Sequence, residues 1–211
     1  MTSPFLVYRM IHISNLEYIL QQGKVVCPSH AIRDPDYTPI GNNDIITARS
    51  RKAIPSFESM TFRDSIGFYF GYPSIMLLNI KTGYGVPKIP QKEIIYLTYD
   101  ISAIAKHEYE FFYTDGQANK IPTTRIFTDL VDLEEVDLEI AHTRDFSSEF
   151  TTKNPDLKRR KHAEFHIFGE LKVSHLAEIV VYDSQQLSVV NELISKYGSM
   201  IIARSDNKYY Y

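Results

Sequence analysis

A single carboxylate, Glu164, stands between a cationic run, Lys158-Arg159-Arg160-Lys161, and an alternating pattern, Glu164-Phe165-His166-Ile167-Phe168. A strand through that pattern puts Phe165 and Ile167 on one face and Glu164 and His166 on the other. Facing a cleft, such a carboxylate can hold a sugar hydroxyl and strengthen that contact as positive charge develops on the ring. The same placement serves an ion pair with a neighbouring lysine or arginine on a solvated strand end, because surface pairs are common and weak. Both readings stand on this stretch alone. A second concentration of positive charge, Arg49, Arg51 and Lys52, falls at the end of residues 44–52, patterned as a helix.

Other chemistries lack their residues. No Gly-x-Gly-x-x-Gly fingerprint or Gly-Lys-Ser/Thr phosphate loop occurs, and Gly83-Tyr84-Gly85 has no third glycine. His162 and His166 are four apart but on strand pattern, where that spacing does not make the one-turn helical pair of a zinc protease, so no metal is expected. There is no Gly-x-Ser-x-Gly elbow for a serine nucleophile. Cys27, the one cysteine, excludes an internal disulfide and a multi-thiolate zinc site, and reads as a small buried apolar residue.

The elements that must position these groups read as an α+β domain, strands and helices mixed without a regular βαβ repeat. Expected strands are Phe5 to Met10, Ile66 to Phe70, Ile94 to Tyr99, Phe111 to Thr114, Glu164 to Phe168, Glu178 to Tyr182 and Met200 to Arg204. Ser14 followed by Glu17 suggests a capping box for a short helix ended by Gly23. Ser74 can cap a helix carrying Ile75 to Ile80 and ended by Gly83. Further helices are expected at Asp100 to Lys106, Thr123 to Leu133 and Ser184 to Tyr197. Pro28 to Asn43 is a long irregular loop, and loops of that length tend to be lids or binding loops.

Composition bounds the rest. With 211 residues, 44% hydrophobic and 23% charged, the chain suits one domain spanning 1–211 with an ordinary soluble composition. A net charge of −3 gives no global attraction to nucleic acid or membrane, so a polyanion must be held by a local patch. No apolar leader or membrane-spanning run is visible, and a reducing cytoplasm fits.

Four segments taken in order resemble the motifs of a known family. They are Tyr8-Arg9-Met10-Ile11-His12-Ile13-Ser14-Asn15-Leu16; Asp64 to Phe70 with Pro73 to Leu77; Phe112 to Ala118; and Lys161-His162-Ala163-Glu164-Phe165. Together the chain resembles the DarT family, bacterial toxins that use NAD to ADP-ribosylate bases in single-stranded DNA and are opposed by the macrodomain antitoxin DarG. The resemblance implies an ADP-ribosyltransferase fold, NAD as co-substrate, a DarG-like antitoxin and Glu164 as the catalytic glutamate. It matches Arg49, fifteen residues before Asp64, to the arginine thought to activate the target base. It puts Arg9, His12, Asn15, Tyr69 and Met76 around the dinucleotide. The chain departs from the family pattern at Ser65 (tyrosine in many members), Gly67 (proline), Ile75 (proline) and Gln117 (histidine in some). The first two remove bulk beside the aromatic strand, which leaves thymine and guanine both open as the modified base.

DNA needs cations for phosphates and flat rings for unstacked bases. The long loop offers His30, Arg33 and Tyr37; Arg51 belongs to the first basic cluster; Lys158 and Arg160 offer a second edge; Gln117 enters through the resemblance. Two rival readings remain at this point, an NAD glycohydrolase that shares Glu164 but needs no DNA and a single-strand binding module without chemistry. A pure binder gains nothing from a carboxylate amid its cations.

Overall fold

Strand β1 (Leu6–His12) sends Val7 and Ile11 into one core and Tyr8 and Met10 into another on the opposite face, as its period of two requires. This computed structural model describes residues 5–118 and 123–211. In chain order β1 is followed by α1 (Leu16–Gln22), β2 (Lys24–Val26), α2 (Asn43–Ser50), β3 (Ala53–Ile54), β4 (Phe57–Thr61) and β5 (Ser65–Tyr69). Then come α3 (Ile75–Thr82), β6 (Ile94–Asp100), α4 (Ile101–Lys106), β7 (Phe111–Gln117) and β8 (Ile126–Phe127). The remainder is α5 (Leu138–His142), α6 (Ser148–Lys153), α7 (Leu157–Arg160), β9 (Ala163–Phe168), β10 (Glu170–Lys172), β11 (Leu176–Val181), α8 (Ser184–Lys196) and β12 (Ala203–Ser205).

Among the described residues the main sheet has eight strands in the order β12-β11-β6-β1-β5-β9-β7-β8. Its neighbours run antiparallel except β11 and β12, which are parallel, so the sheet is mixed and the fold is α+β. One face packs against α1, α4 and α8 through residues such as Leu16, Ile104 and Val190. The other packs against α3 and the terminal Tyr209 and Tyr210. No helix among the described residues is long and apolar enough to cross a membrane.

Local signals explain most boundaries. Ser74 accepts the Leu77 N–H at the start of α3, and Gly83 ends that helix at φ 78°, a left-handed conformation that costs glycine little. Asp100 caps α4 and Asp183 caps α8 in the same way. The capping box expected at Ser14 does not form. Helix α1 begins at Leu16, the His12 ring accepts the Ser14 N–H, and the Ser14 hydroxyl turns to Thr38. The helix expected from Thr123 to Leu133 is instead strand β8 and a short turn of 3-10 helix, because Ile126 and Phe127 pair with Thr114 and Tyr113 at the sheet edge. Strand β12 starts at Ala203, and Met200, placed in that strand by the sequence, is 99% exposed.

Candidate active site

The sheet opens where β1 meets β5. These strands share one register pair, Tyr8 with Tyr69, whereas β1 and β6 pair along their full length. Arg9 spans the opening by donating from Nη1 to the Gly67 carbonyl at 2.9 Å. A cleft of about 500 Å³ lies over this gap, a size typical of small-molecule sites. It is walled by α1, the 28–42 loop, α2 and α3, with β5 and β9 contributing Tyr69, Glu164 and His166.

Glu164 is 5% exposed and its strand sits between β5 and β7, not at a solvated end. Its carboxylate Oε2 accepts from Arg49 Nη2 at 2.7 Å and from the His166 Nε2 side at 3.1 Å, while Oε1 accepts from the Ala118 N–H at 3.2 Å. The β7–β9 register shifts between Tyr113 and Gln117, a bulge that frees Thr114 to accept the Glu164 N–H at 3.1 Å and lets the following residues reach Glu164. Burial by itself pushes the Glu164 carboxyl up, but Arg49 and His166 outweigh it and hold it well below the usual carboxylate range. Burial also opposes the charge on Arg49, and the adjoining carboxylate reverses that and raises its pKa. The guanidinium rests 4.9 Å from the centre of the Phe62 ring.

Burial holds His166 below the ordinary histidine value against the pull of Glu164, which favours the neutral ring. An ionised carboxylate can only accept, which assigns a proton to Nε2; on the other side Ser65 Oγ lies 3.0 Å from Nδ1 and 3.2 Å from the Phe62 carbonyl, so its one hydrogen is shared between two acceptors.

Of the residues named from sequence, the cleft gathers Arg9, Asn15, Arg33, Tyr37, Arg49, Tyr69, Met76, Gln117 and Glu164. Asn15 is buried and spends its amide on the loop, donating to the Thr38 carbonyl at 2.9 Å and accepting the Thr38 N–H at 2.8 Å. The Tyr69 hydroxyl donates to Met76 Sδ at 3.4 Å. His12 does not line the cleft, and its Nε2 lies 3.2 Å from Glu93 Oε2. Arg51 is exposed just past α2 and lies outside the lining.

The continuous cationic edge expected at Lys158 to Lys161 does not exist. Arg159 pairs with Asp115 and Asp156, Arg160 pairs with Asp137 at 2.5 Å and donates to Asn154, and Lys161, 2% exposed, donates to the Ala141 and Thr143 carbonyls. Lys158 remains exposed. The room inferred from Ser65 and Gly67 is taken by His166, whose Cε1 would lie 3.1 Å from a Cβ on Gly67. Sequence reasoning placed His166 on the face of Glu164 but gave it no role. It also missed Ala118 and Thr114, which reach Glu164 through a bulge whose local sign is Gly116 inside the strand.

A family model described as "DarT: ssDNA thymidine ADP-ribosyltransferase, DarT" matches residues 8–211. A DNA ADP-ribosyl transferase of Escherichia coli O127:H6 (strain E2348/69 / EPEC) is 30% identical, aligned over 85% of this chain and 81% of its own length. The DarT of Thermus sp. 2.9, solved in complex with ADP-ribosylated ssDNA, superposes with a TM-score of 0.89 at 24% identity over 99% of this chain and 97% of its own. Its complex with NAD+ superposes with a TM-score of 0.83 at 24% identity, covering 99% and 98%. The DarTG of Thermosipho africanus in complex with ADP-ribose gives a TM-score of 0.74 at 16% identity over 97% of this chain and 50% of that one. On the match along 8–211 and the 30% identity, this chain belongs to the DarT family of DNA ADP-ribosyltransferases.

Proposed function

We propose that the chain transfers ADP-ribose from NAD to thymine in single-stranded DNA, with Glu164 and Arg49 as its catalytic pair. One observation carries this reading: a buried carboxylate kept ionised by two donors at the floor of a cleft. Each carboxylate oxygen offers two acceptor positions. Arg49 and His166 fill those of Oε2, and Ala118 fills one on Oε1, so one position on Oε1 remains for a ribose hydroxyl. NAD suits the cleft by its donors. Arg9 lines it, and among the described residues its buried Nε–H has no partner, a group that a phosphate or ribose oxygen would satisfy. Tyr69 and Met76 supply an apolar wall, and Asn15 acts through the loop it holds.

In the reaction the bond between nicotinamide and the ribose carbon breaks, its electron pair leaving with nicotinamide. A base nitrogen forms the new bond and gives up its proton to solvent water at the cleft mouth. Positive charge on the sugar strengthens the contact of its hydroxyl with Glu164. Arginine stays protonated, so Arg49 stabilises the base as it becomes anionic, through N–H groups not spent on Glu164. Thymine is favoured by the family description, and with His166 filling the space beside Ser65 and Gly67, enlargement of the pocket no longer argues for guanine. Single-stranded DNA would cross the cleft mouth near Arg33, Tyr37, Arg51 and Gln117, with Lys158 as an exposed outlying cation. A DarG-like macrodomain partner in the cytoplasm and a single transferase domain over 1–211 complete the proposal.

The test is incubation with NAD and oligonucleotides carrying one thymine or one guanine, followed by mass spectrometry of the DNA. A mass gain of one ADP-ribose on the thymine oligonucleotide, absent with Glu164→Ala, is expected. Nicotinamide release that is indifferent to DNA would replace this reading with a glycohydrolase.

A further inference from the structure

His166 is 3% exposed, stacked on Phe112 with centroids 4.5 Å apart at 3° and edge-on to Phe62 at 5.4 Å. A leucine or phenylalanine would fill that apolar slot without burying two ring nitrogens, each of which costs desolvation unless paired. Both are paired, Nε2 on the carboxylate and Nδ1 on Ser65. The opposite strand makes room: Gly67 faces His166 in register, and a Cβ there would lie 3.1 Å from Cε1. Ring, hydroxyl and glycine thus form one unit beneath Glu164.

We propose that His166 is a positioning residue for the transfer, its Nε2–H holding Glu164 Oε2 so that Oε1 faces the substrate, with Ser65 Oγ beside Nδ1 and Gly67 admitting the ring. The inference rests on the reading of Glu164 as the carboxylate that holds the ribose. The two donors on Oε2 divide the work. Arg49 comes from α2 and is also the group that must answer charge on the incoming base, whereas His166 belongs to the strand of Glu164 and is locked by stacking. When the guanidinium turns part of its charge to the base, the imidazole keeps the carboxylate in place. The charged groups facing the ring are Glu164 from its own strand, Arg49 from α2 and Arg9 from β1.

His166→Leu keeps the slot filled and removes the donor. It should lower kcat by roughly tenfold to a hundredfold, the loss of one hydrogen bond to a charged group, while KM for NAD moves by about twofold or less. His166→Gln, whose amide nitrogen can take the place of Nε2, should recover part of that loss, and Ser65→Ala should show a smaller one. Undiminished kcat in folded His166→Leu, or Gln no better than Leu, overturns the proposal. A readout that needs no variant at this site is the nitrogen-15 spectrum of the imidazoles, where His166 should be the neutral Nε2–H tautomer and shift in Glu164→Gln. An unprotonated Nε2 overturns it equally. Full transfer activity in Glu164→Gln would instead sink the reading of the site itself.

Discussion

Replacing Arg49 by leucine should destabilise the protein in a way that acid relieves. The native pair places Nη2 2.7 Å from Oε2 of a carboxylate only 5% exposed. Removing one partner of a buried pair costs about 3–5 kcal/mol. The Arg49 side chain keeps 23% exposure and cleft water can reach the vacated space, which favours the lower end, about 3 kcal/mol. For a chain of this size that is roughly 6–12 °C in Tm. The pH dependence has a definite sign. In the parent, Glu164 lies below its unfolded value, so its contribution is complete above the unfolded pKa of about 4.3 and is lost as pH falls through the depressed native value. In Arg49→Leu, burial loses its main opposition and raises the carboxyl, so the native state takes up a proton more readily as pH falls, and His166 gains reason to protonate beside an unpaired carboxylate. Thermal melts of both proteins from pH 8 to pH 5 should therefore show the gap between them narrowing. A gap of constant size, or a variant as stable as the parent at neutral pH, would refute the account of what keeps Glu164 ionised.

Gly67→Ala should force its new Cβ against the His166 ring and cost about 1–2 kcal/mol, with transfer activity falling further than stability; denaturant melts and turnover measured together check this. Asn15→Ala releases both backbone groups of Thr38 and loosens the loop along the cleft, so KM for NAD should rise by about tenfold, with kcat less affected, a split that initial-rate kinetics resolves. Arg33→Ala with Arg51→Ala should flatten the dependence of DNA affinity on salt by about 0.7 for each phosphate no longer neutralised, whereas Arg160→Ala should leave the slope alone and lower the melting temperature through Asp137. Fluorescence anisotropy across a salt series separates them.

What the sequence disclosed was local. The alternation from Glu164 to Phe168 correctly sorted core from cleft, Phe165 and Ile167 against Glu164 and His166, and Ser74 with Gly83 bounded α3 closely. What it concealed was decided elsewhere in the chain. Ile126 and Phe127 are strand-forming residue types in too short a stretch to stand out, and they become β8 because Thr114 and Tyr113 present an open edge. Lys158 to Lys161 read as a solvated run because the acids that engage it, Asp115 and Asp137, are far away in sequence. Asp156 was the exception, three positions before Arg159 and pairing with it on one turn of helix. The pairing of Arg49 with Glu164 spans 115 residues, and only the family resemblance brought the two together in advance.

Ser65 and Gly67 show how a correct local observation can carry the wrong consequence. Small side chains on a strand imply empty space beside them only if the facing strand is known, and here the register puts His166 opposite Gly67. The imidazole occupies that space and turns it toward Glu164, so the departures from the family pattern bear on how the carboxylate is held. They do not enlarge the place where a base would sit. On the proposed reading, base choice falls to other groups lining the cleft, among them the polar Arg49 and Gln117 and the flat ring of Tyr37. A thymine ring nitrogen carries its proton between two carbonyl oxygens, and a guanidinium already anchored on Glu164 can answer one of them while the carboxylate stays fixed.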